Sequence, residues 1–334
     1  MERGETFMTT ALAMISGGLD SILAAKLVKD QGIEVIGICF KSHFFNEENA
    51  LKIVKQIDIP LEVVDFSDEH FEMVKNPKHG HGKNMNPCID CHAMMMRYCG
   101  DLLEKFHADF IITGEVLNQR PMSQNRSALD IVKNESGIGR KILRPLCAKN
   151  LNPTEMEIEG LIDREALLDI KGRNRKIQIE LAKEWGILDY PSPAGGCKLT
   201  EPNYSRRLKE LLEHKEDICV KDLELLKIGR HFRVSKDAKI ISTRTQEEGE
   251  LIKQFLTQED LIFLAEDYNG STVVIIGKET NEDIEFAAKV SGRYCKGKDE
   301  KIISISYGRY DNPINKSIDI VPATEDEINN YILN

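Results

Sequence analysis

The chain has 334 residues, 41% hydrophobic and 30% charged, with a formal net charge of -10. A single core stops growing near about 250 to 300 residues, so this length implies two domains. The acidic balance excludes nucleic-acid binding over the whole surface and confines RNA contact to local basic stretches, such as Lys171, Arg173, Arg175 and Lys176. No run approaches the roughly 18 apolar residues of a membrane span, and no basic leader precedes the first apolar stretch. A cytoplasmic protein without a membrane partner is expected.

Taken in chain order, short apolar runs alternate with amphipathic segments. Leu12 to Ile15 reads as a strand, Asp20 to Gln31 as a helix, Glu34 to Phe40 as a strand, Glu47 to Gln56 as a helix and Leu61 to Asp65 as a strand. A loop with His79 and His81 follows, then a helix from about Cys91 to Phe106 and the strand Phe110 to Thr113. The two histidines are candidates for RNA contact or proton transfer, or are simply solvated. The pattern predicts an α/β domain with a doubly wound parallel sheet. Its ligands would lie beyond the carboxyl ends of the strands, at Ser16 to Ser21, Phe40 to His43 and Gly114 to Gln124.

After Pro202 the texture changes. A charged helix from Tyr204 to Glu216 leads into three units of two strands and a helix, each helix announced by a hydroxyl three residues before an acid: Thr245 and Glu248, Thr280 and Asp283, Thr324 and Glu327. Residues 216–334 are expected to form a C-terminal α+β domain of ββα units, and residues 1–215 the catalytic domain.

Between the first strand and helix stands Ser16-Gly17-Gly18-Leu19-Asp20-Ser21. Glycines let the backbone approach an anion, and the helix start offers free N–H groups and a positive dipole end. The loop has neither the Walker pattern nor the dinucleotide fingerprint. It resembles the SGGxDS signature of PP-loop ATP pyrophosphatases, the adenine nucleotide alpha hydrolase-like fold. Thr113-Gly114-Glu115 with Gln119 and Ser123-Gln124 is similar to a segment of tRNA 4-thiouridine synthases, with Asn118 where glycine is usual, and Arg144-Pro145-Leu146 fits the same family. Asn86-Pro87-Cys88 followed by Cys91 resembles tRNA 2-thiouridine synthases. The last 115 or so residues are similar to the NFACT-R-like domain, which is inferred to bind RNA.

These resemblances imply ATP-dependent thiolation of a tRNA uridine. ATP and Mg²⁺ would bind at Ser16, Gly17, Gly18, Asp20, Ser21, Gly114 and Gln119, and in the expected fold Phe40 and Ser42, ending the second strand, would face adenine or ribose. Asp20 would assist the metal, or serve only as an acid at a helix start. A uridine carbonyl oxygen is a poor leaving group, so adenylation must precede attack by sulfur.

Of eight cysteines, only Cys88 and Cys91 are clustered, at a predicted helix start where the dipole favours thiolate. With Cys197, in a tight turn, they resemble the arrangement in which three thiolates hold a [4Fe-4S] cluster and one iron stays open to a sulfur donor. A persulfide relay without metal and a structural zinc on Cys88, Cys91, His92 and Cys197 are the alternatives. At the level of function, the rivals are a PP-loop enzyme adenylating a small non-RNA molecule and a non-catalytic scaffold that only binds RNA.

Overall fold

The computed structural model describes residues 8–192 and 196–333. They fall into two compact units divided between Lys198 and Leu199. In the first unit, β1 (Thr10–Met14) leads into α1 (Leu19–Lys29), β2 (Glu34–Lys41), α2 (Glu48–Ile53), β3 (Leu61–Asp65), α3 (Ser67–Lys75) and α4 (Cys88–Lys105). Then follow β4 (Phe110–Thr113), α5 (Arg126–Glu135), β5 (Ile142–Leu143), α6 (Glu155–Ile158) and α7 (Lys176–Glu184). All five strands pair in parallel in the order β3-β2-β1-β4-β5.

The order in which successive strands are added reverses between β1 and β4, the crevice where doubly wound sheets take ligands. Ala11, Leu12 and Ala13 of β1 and Ile111 and Ile112 of β4 are at most 1% exposed, because helices cover both faces. Apolar residues at Leu19, Ile22, Leu23 and Val28 bury one side of α1 against the sheet. On the opposite face Cys99 and Leu103 of α4 pack with Leu12, Ile38 and Ile111.

The second unit starts with α8 (Pro202–His214) and α9 (Val220–Leu225). Three hairpins follow, β6 (Arg230–Phe232) with β7 (Ala238–Ser242), β8 (Leu261–Ala265) with β9 (Val273–Gly277), and β10 (Ile303–Arg309) with β11 (Lys316–Ile320). Each is succeeded by a helix: α10 (Gln246–Lys253), α11 (Asn281–Arg293) and α12 (Glu325–Tyr331). The strands merge into one antiparallel sheet, ordered β11-β10-β8-β9-β7-β6, and Phe286, Ala287 and Val290 of α11 pack into its core.

Helix α8 belongs with this second unit, which moves the division upstream of the expected position near residue 215. The reason is a set of buried polar ties. Glu210 is gripped by Arg233 and by Lys239 at 2.6 Å, Arg207 donates to the Leu226 carbonyl at 3.0 Å, and Tyr204 donates to the Leu223 carbonyl at 3.4 Å. Burial pushes the Glu210 carboxyl up, but Lys239 and Arg233 outweigh it and hold the group ionised.

The capping residues act as their spacing predicts. Thr280 and Asp283, and Thr324 and Glu327, exchange reciprocal bonds. At α10, Thr245 accepts from Glu248 N–H, whereas the Glu248 carboxylate reaches past it to the Arg244 N–H at 2.6 Å. No helix among the described residues is long and apolar enough to cross a membrane.

Candidate nucleotide and thiol site

The loop from Ser16 to Ser21 leaves the carboxyl end of β1 at the sheet's reversal point. Gly17 adopts φ +77°, and a Cβ there would lie 2.6 Å from Cβ of Asn49, so only glycine fits both the backbone and the space. The Ser16 hydroxyl accepts from Gly18 N–H at 3.4 Å and lies 3.4 Å from the Ser21 hydroxyl, which donates to the Gly18 carbonyl at 2.8 Å. Gly114, just past β4, packs against the loop so closely that a Cβ would lie 2.5 Å from Ser21 N. The two candidate loops are therefore one surface.

Asp20 lies between two further segments. Gln119 donates to Asp20 Oδ2 at 2.6 Å, Gln178 on α7 donates to Gln119 at 2.9 Å, and Arg175 lies 3.5 Å from Asp20 Oδ1. Asn118, one residue earlier, has φ +62°. This explains how Asn replaces glycine there, since Asn tolerates the left-handed region better than most residues. Gln178 escaped the sequence reading because a single glutamine on an amphipathic helix gives no signal of being fully buried.

Phe40 is a correction. Its ring is 6% exposed and packs at 5.2 Å from Phe66 and 6.1 Å from Tyr98, inside the core between sheet and α4. Alternation at the end of a strand decides which face a side chain takes, and here it points Phe40 inward rather than toward a nucleotide.

Helix α4 begins at Cys88, so Cys88 and Cys91 lie one turn apart on one side. Asn86 donates to Cys88 Sγ at 3.2 Å, and the buried His70 places Nε2 at 3.3 Å from Cys91 Sγ. Cys197 lies near enough to Cys91 to oppose its ionisation, and Lys198 N–H, the next residue, is held by the Phe44 carbonyl at 2.9 Å. Pro193 to Gly195 of the expected turn lie outside the described residues. The expected lowering of the thiol pKa by the helix start is not found at Cys91: burial pushes it well up, and Cys197, Cys88 and Asp90 add to the shift.

The donor chemistry at these three residues suits a thiolate-bound metal group, but among the described residues no three His, Cys, Asp or Glu side chains converge as a ready metal site. His92 does not join them. Its Nδ1 lies 3.0 Å from Glu115 Oε1, while Arg144 donates to Glu115 Oε2 at 2.9 Å. Burial pushes Glu115 up, yet Arg144 and His92 more than offset this and hold the carboxyl down to about 2. The sequence resemblance covered Glu115 and Arg144 without disclosing that they pair.

Cys39, Cys99 and Cys147 are buried and behave as packing residues, whereas Cys219 is exposed and its thiol donates to Asp222 Oδ2 at 3.2 Å. Burial raises Cys39 to about 12 and Cys147 to about 11, and Cys99 is also raised by burial. The His81 ring is bonded locally, 2.9 Å from the Val74 carbonyl, and the His79 ring lies 3.7 Å from the Glu135 carboxylate.

Two family models match separate parts of the chain. Residues 7–153 match the family model described as thiamine biosynthesis protein (ThiI), and residues 229–332 match the NFACT protein RNA binding domain. Among curated relatives, the tRNA-specific 2-thiouridylase MnmA of Helicobacter acinonychis (strain Sheeba) is 27% identical over 231 residues, covering 65% of this chain and 64% of that protein. MnmA of Clostridium acetobutylicum is 36% identical over 121 residues, 30% of this chain and 34% of its own. The chain thus spans just under two thirds of the length of the first of these relatives. Among solved structures, a 4-thiouridine synthetase–RNA complex with bound ATP aligns at TM-score 0.39 and 20% identity, covering 66% of this chain and 52% of that one. The U34-tRNA thiolase NcsA from Methanococcus maripaludis with its [4Fe-4S] cluster aligns at 0.31 and 15% identity, covering 57% and 61%.

Proposed function

For a chain that joins a PP-loop domain of the ThiI family to an NFACT RNA-binding domain, we propose the ATP-dependent thiolation of a uridine in tRNA. The observation that carries the reading is the sharing of one domain by two kinds of chemistry. The glycine loop Ser16 to Ser21 lies at the sheet's reversal point with Asp20 held by Gln119, and the paired Cys88 and Cys91 open the helix that leads into β4.

In this reading the loop's backbone N–H groups and its serines receive the phosphates of ATP, and Asp20 supplies an oxygen ligand to Mg²⁺. The uridine carbonyl oxygen attacks the α-phosphorus, the bond to the β-phosphate oxygen breaks, and pyrophosphate leaves. A sulfur nucleophile then adds to the activated ring carbon and AMP departs with the former carbonyl oxygen. Cys88, Cys91 and Cys197 handle the sulfur. They would hold a [4Fe-4S] cluster, which when bound offers an open iron to an exogenous sulfur donor. The NFACT domain brings the tRNA.

The test is pyrophosphate release and thionucleoside formation with and without added tRNA, on anaerobically purified protein. Release that depends on tRNA, with sulfur entering the RNA, supports the reading. Release driven by a small carbonyl compound instead would replace it with a non-RNA PP-loop enzyme. An absence of release under every condition would leave an RNA-binding scaffold. Iron and acid-labile sulfide on the same protein separate the cluster route from a persulfide relay.

A further inference from the structure

Among the described residues of the first unit, five buried side-chain atoms lack a hydrogen-bond partner, and four are on residues of one small region: Asp20 Oδ1, Gln124 Oε1, Arg175 Nε and Gln178 Oε1. Leaving such groups unpaired is destabilising, so their concentration at one place points to a ligand that completes them. The set is chemically mixed. Three are oxygen acceptors, suited to a hard cation, and the fourth belongs to a guanidinium, suited to an anion. A magnesium-bound polyphosphate carries both complements.

Arg175 differs from its basic neighbours. Lys171, Arg173 and Lys176 are exposed, while the Arg175 side chain is 16% exposed and turns inward to within 3.5 Å of Asp20 Oδ1, without forming a hydrogen bond. Its position is fixed by α7, whose fully buried Gln178 is tied through Gln119 to the same aspartate.

We propose that Arg175 is a phosphate ligand of the nucleotide site, paired with Asp20 in this structure and transferred to a phosphate oxygen when the metal-bound nucleotide draws Asp20 to its cation. The exchange replaces one loose ion pair by two close ones, Asp20 with the cation and the forked guanidinium with phosphate. It rests on the reading of Ser16 to Ser21 as an ATP site and adds to it a residue from a distant part of the chain.

The test is equilibrium binding of a non-hydrolysable Mg-ATP analogue, inorganic pyrophosphate and AMP to the full chain, for wild type, Arg175→Gln, Arg175→Lys and the exposed control Lys183→Gln. Arg175→Gln should weaken the ATP analogue and pyrophosphate by about tenfold to a hundredfold, the range of a charge-assisted hydrogen bond, and AMP by much less. Arg175→Lys should recover part of the loss, and Lys183→Gln should match wild type. Unchanged binding in Arg175→Gln, or equal loss of all three ligands, overturns the assignment. Wild-type protein that binds no ATP analogue instead overturns the ATP reading on which it rests.

Discussion

The imidazole of His70 stands with Nε2 3.3 Å from Cys91 Sγ, its ring stacked on Phe66 at 4.8 Å. The histidine is fully enclosed, and burial, aided by the nearby His43, lowers it to about 4. It therefore meets the sulfur as a neutral ring. His70→Phe preserves an aromatic body for the stack and deletes the polar contact. Thionucleoside yield should fall while pyrophosphate release and melting temperature stay near wild type; a matching loss of both chemical steps would remove His70 from the sulfur side.

The proposed function assigns sulfur transfer to the thiols and adenylation to the Ser16 to Ser21 loop. Cys197→Ala and Cys88→Ala should retain tRNA-dependent pyrophosphate release and lose thiolation, whereas Asp20→Ala should lose release by at least about a hundredfold, the scale of a displaced catalytic arrangement. Assaying labelled pyrophosphate and thiouridine in parallel separates the two classes.

Gly114→Ala tests the close approach of the two loops, since the added Cβ would press on Ser21 N at 2.5 Å. The backbone must shift, at a cost of about 1–3 kcal/mol, the usual price of overpacking. Urea denaturation should report that loss, and nucleotide affinity should fall with it.

The side chains of Glu115 and Arg144 are 5% and 6% exposed and paired, so removing one partner strands the other charge. Glu115→Ala should destabilise the protein by about 3–5 kcal/mol. Acid gives a second measure. The folded carboxyl is depressed from 4.5 to about 2, so its contribution is complete above pH 4.5 and is lost as the pH falls from there toward 2. Urea midpoints measured across that window should drop for wild type and drop less for Glu115→Gln.

In the C-terminal domain, Thr280 caps α11 and exchanges bonds with Asp283. Thr280→Ala should cost about 1 kcal/mol in thermal or urea unfolding, with no effect on pyrophosphate release.

Much of this architecture was legible because local signals agreed with the tertiary result. The strand, glycine loop and helix around Ser16 to Ser21 could be read from periodicity and residue type, and the three capping threonines announced their helices. Side-chain direction was harder. Phe40 ends a strand that was correctly placed, but sequence alternation did not reveal that α4 and Phe66 close over its ring. The position of α8 depended on Glu210 finding Arg233 and Lys239, residues distant in sequence. Gln178 and His70 were illegible for a related reason: a polar residue on a buried face is fixed by a partner that only the folded chain supplies.

Glu115 is grasped from two directions, by Arg144 just beyond β5 and by His92 on α4. It follows directly upon Gly114, which lies against the Ser16 to Ser21 loop, and His92 follows directly upon Cys91. One interior carboxylate thus sets the gauge between the place where a carbonyl would be activated and the place where sulfur would be supplied. A substitution at Glu115 would release both ties at once.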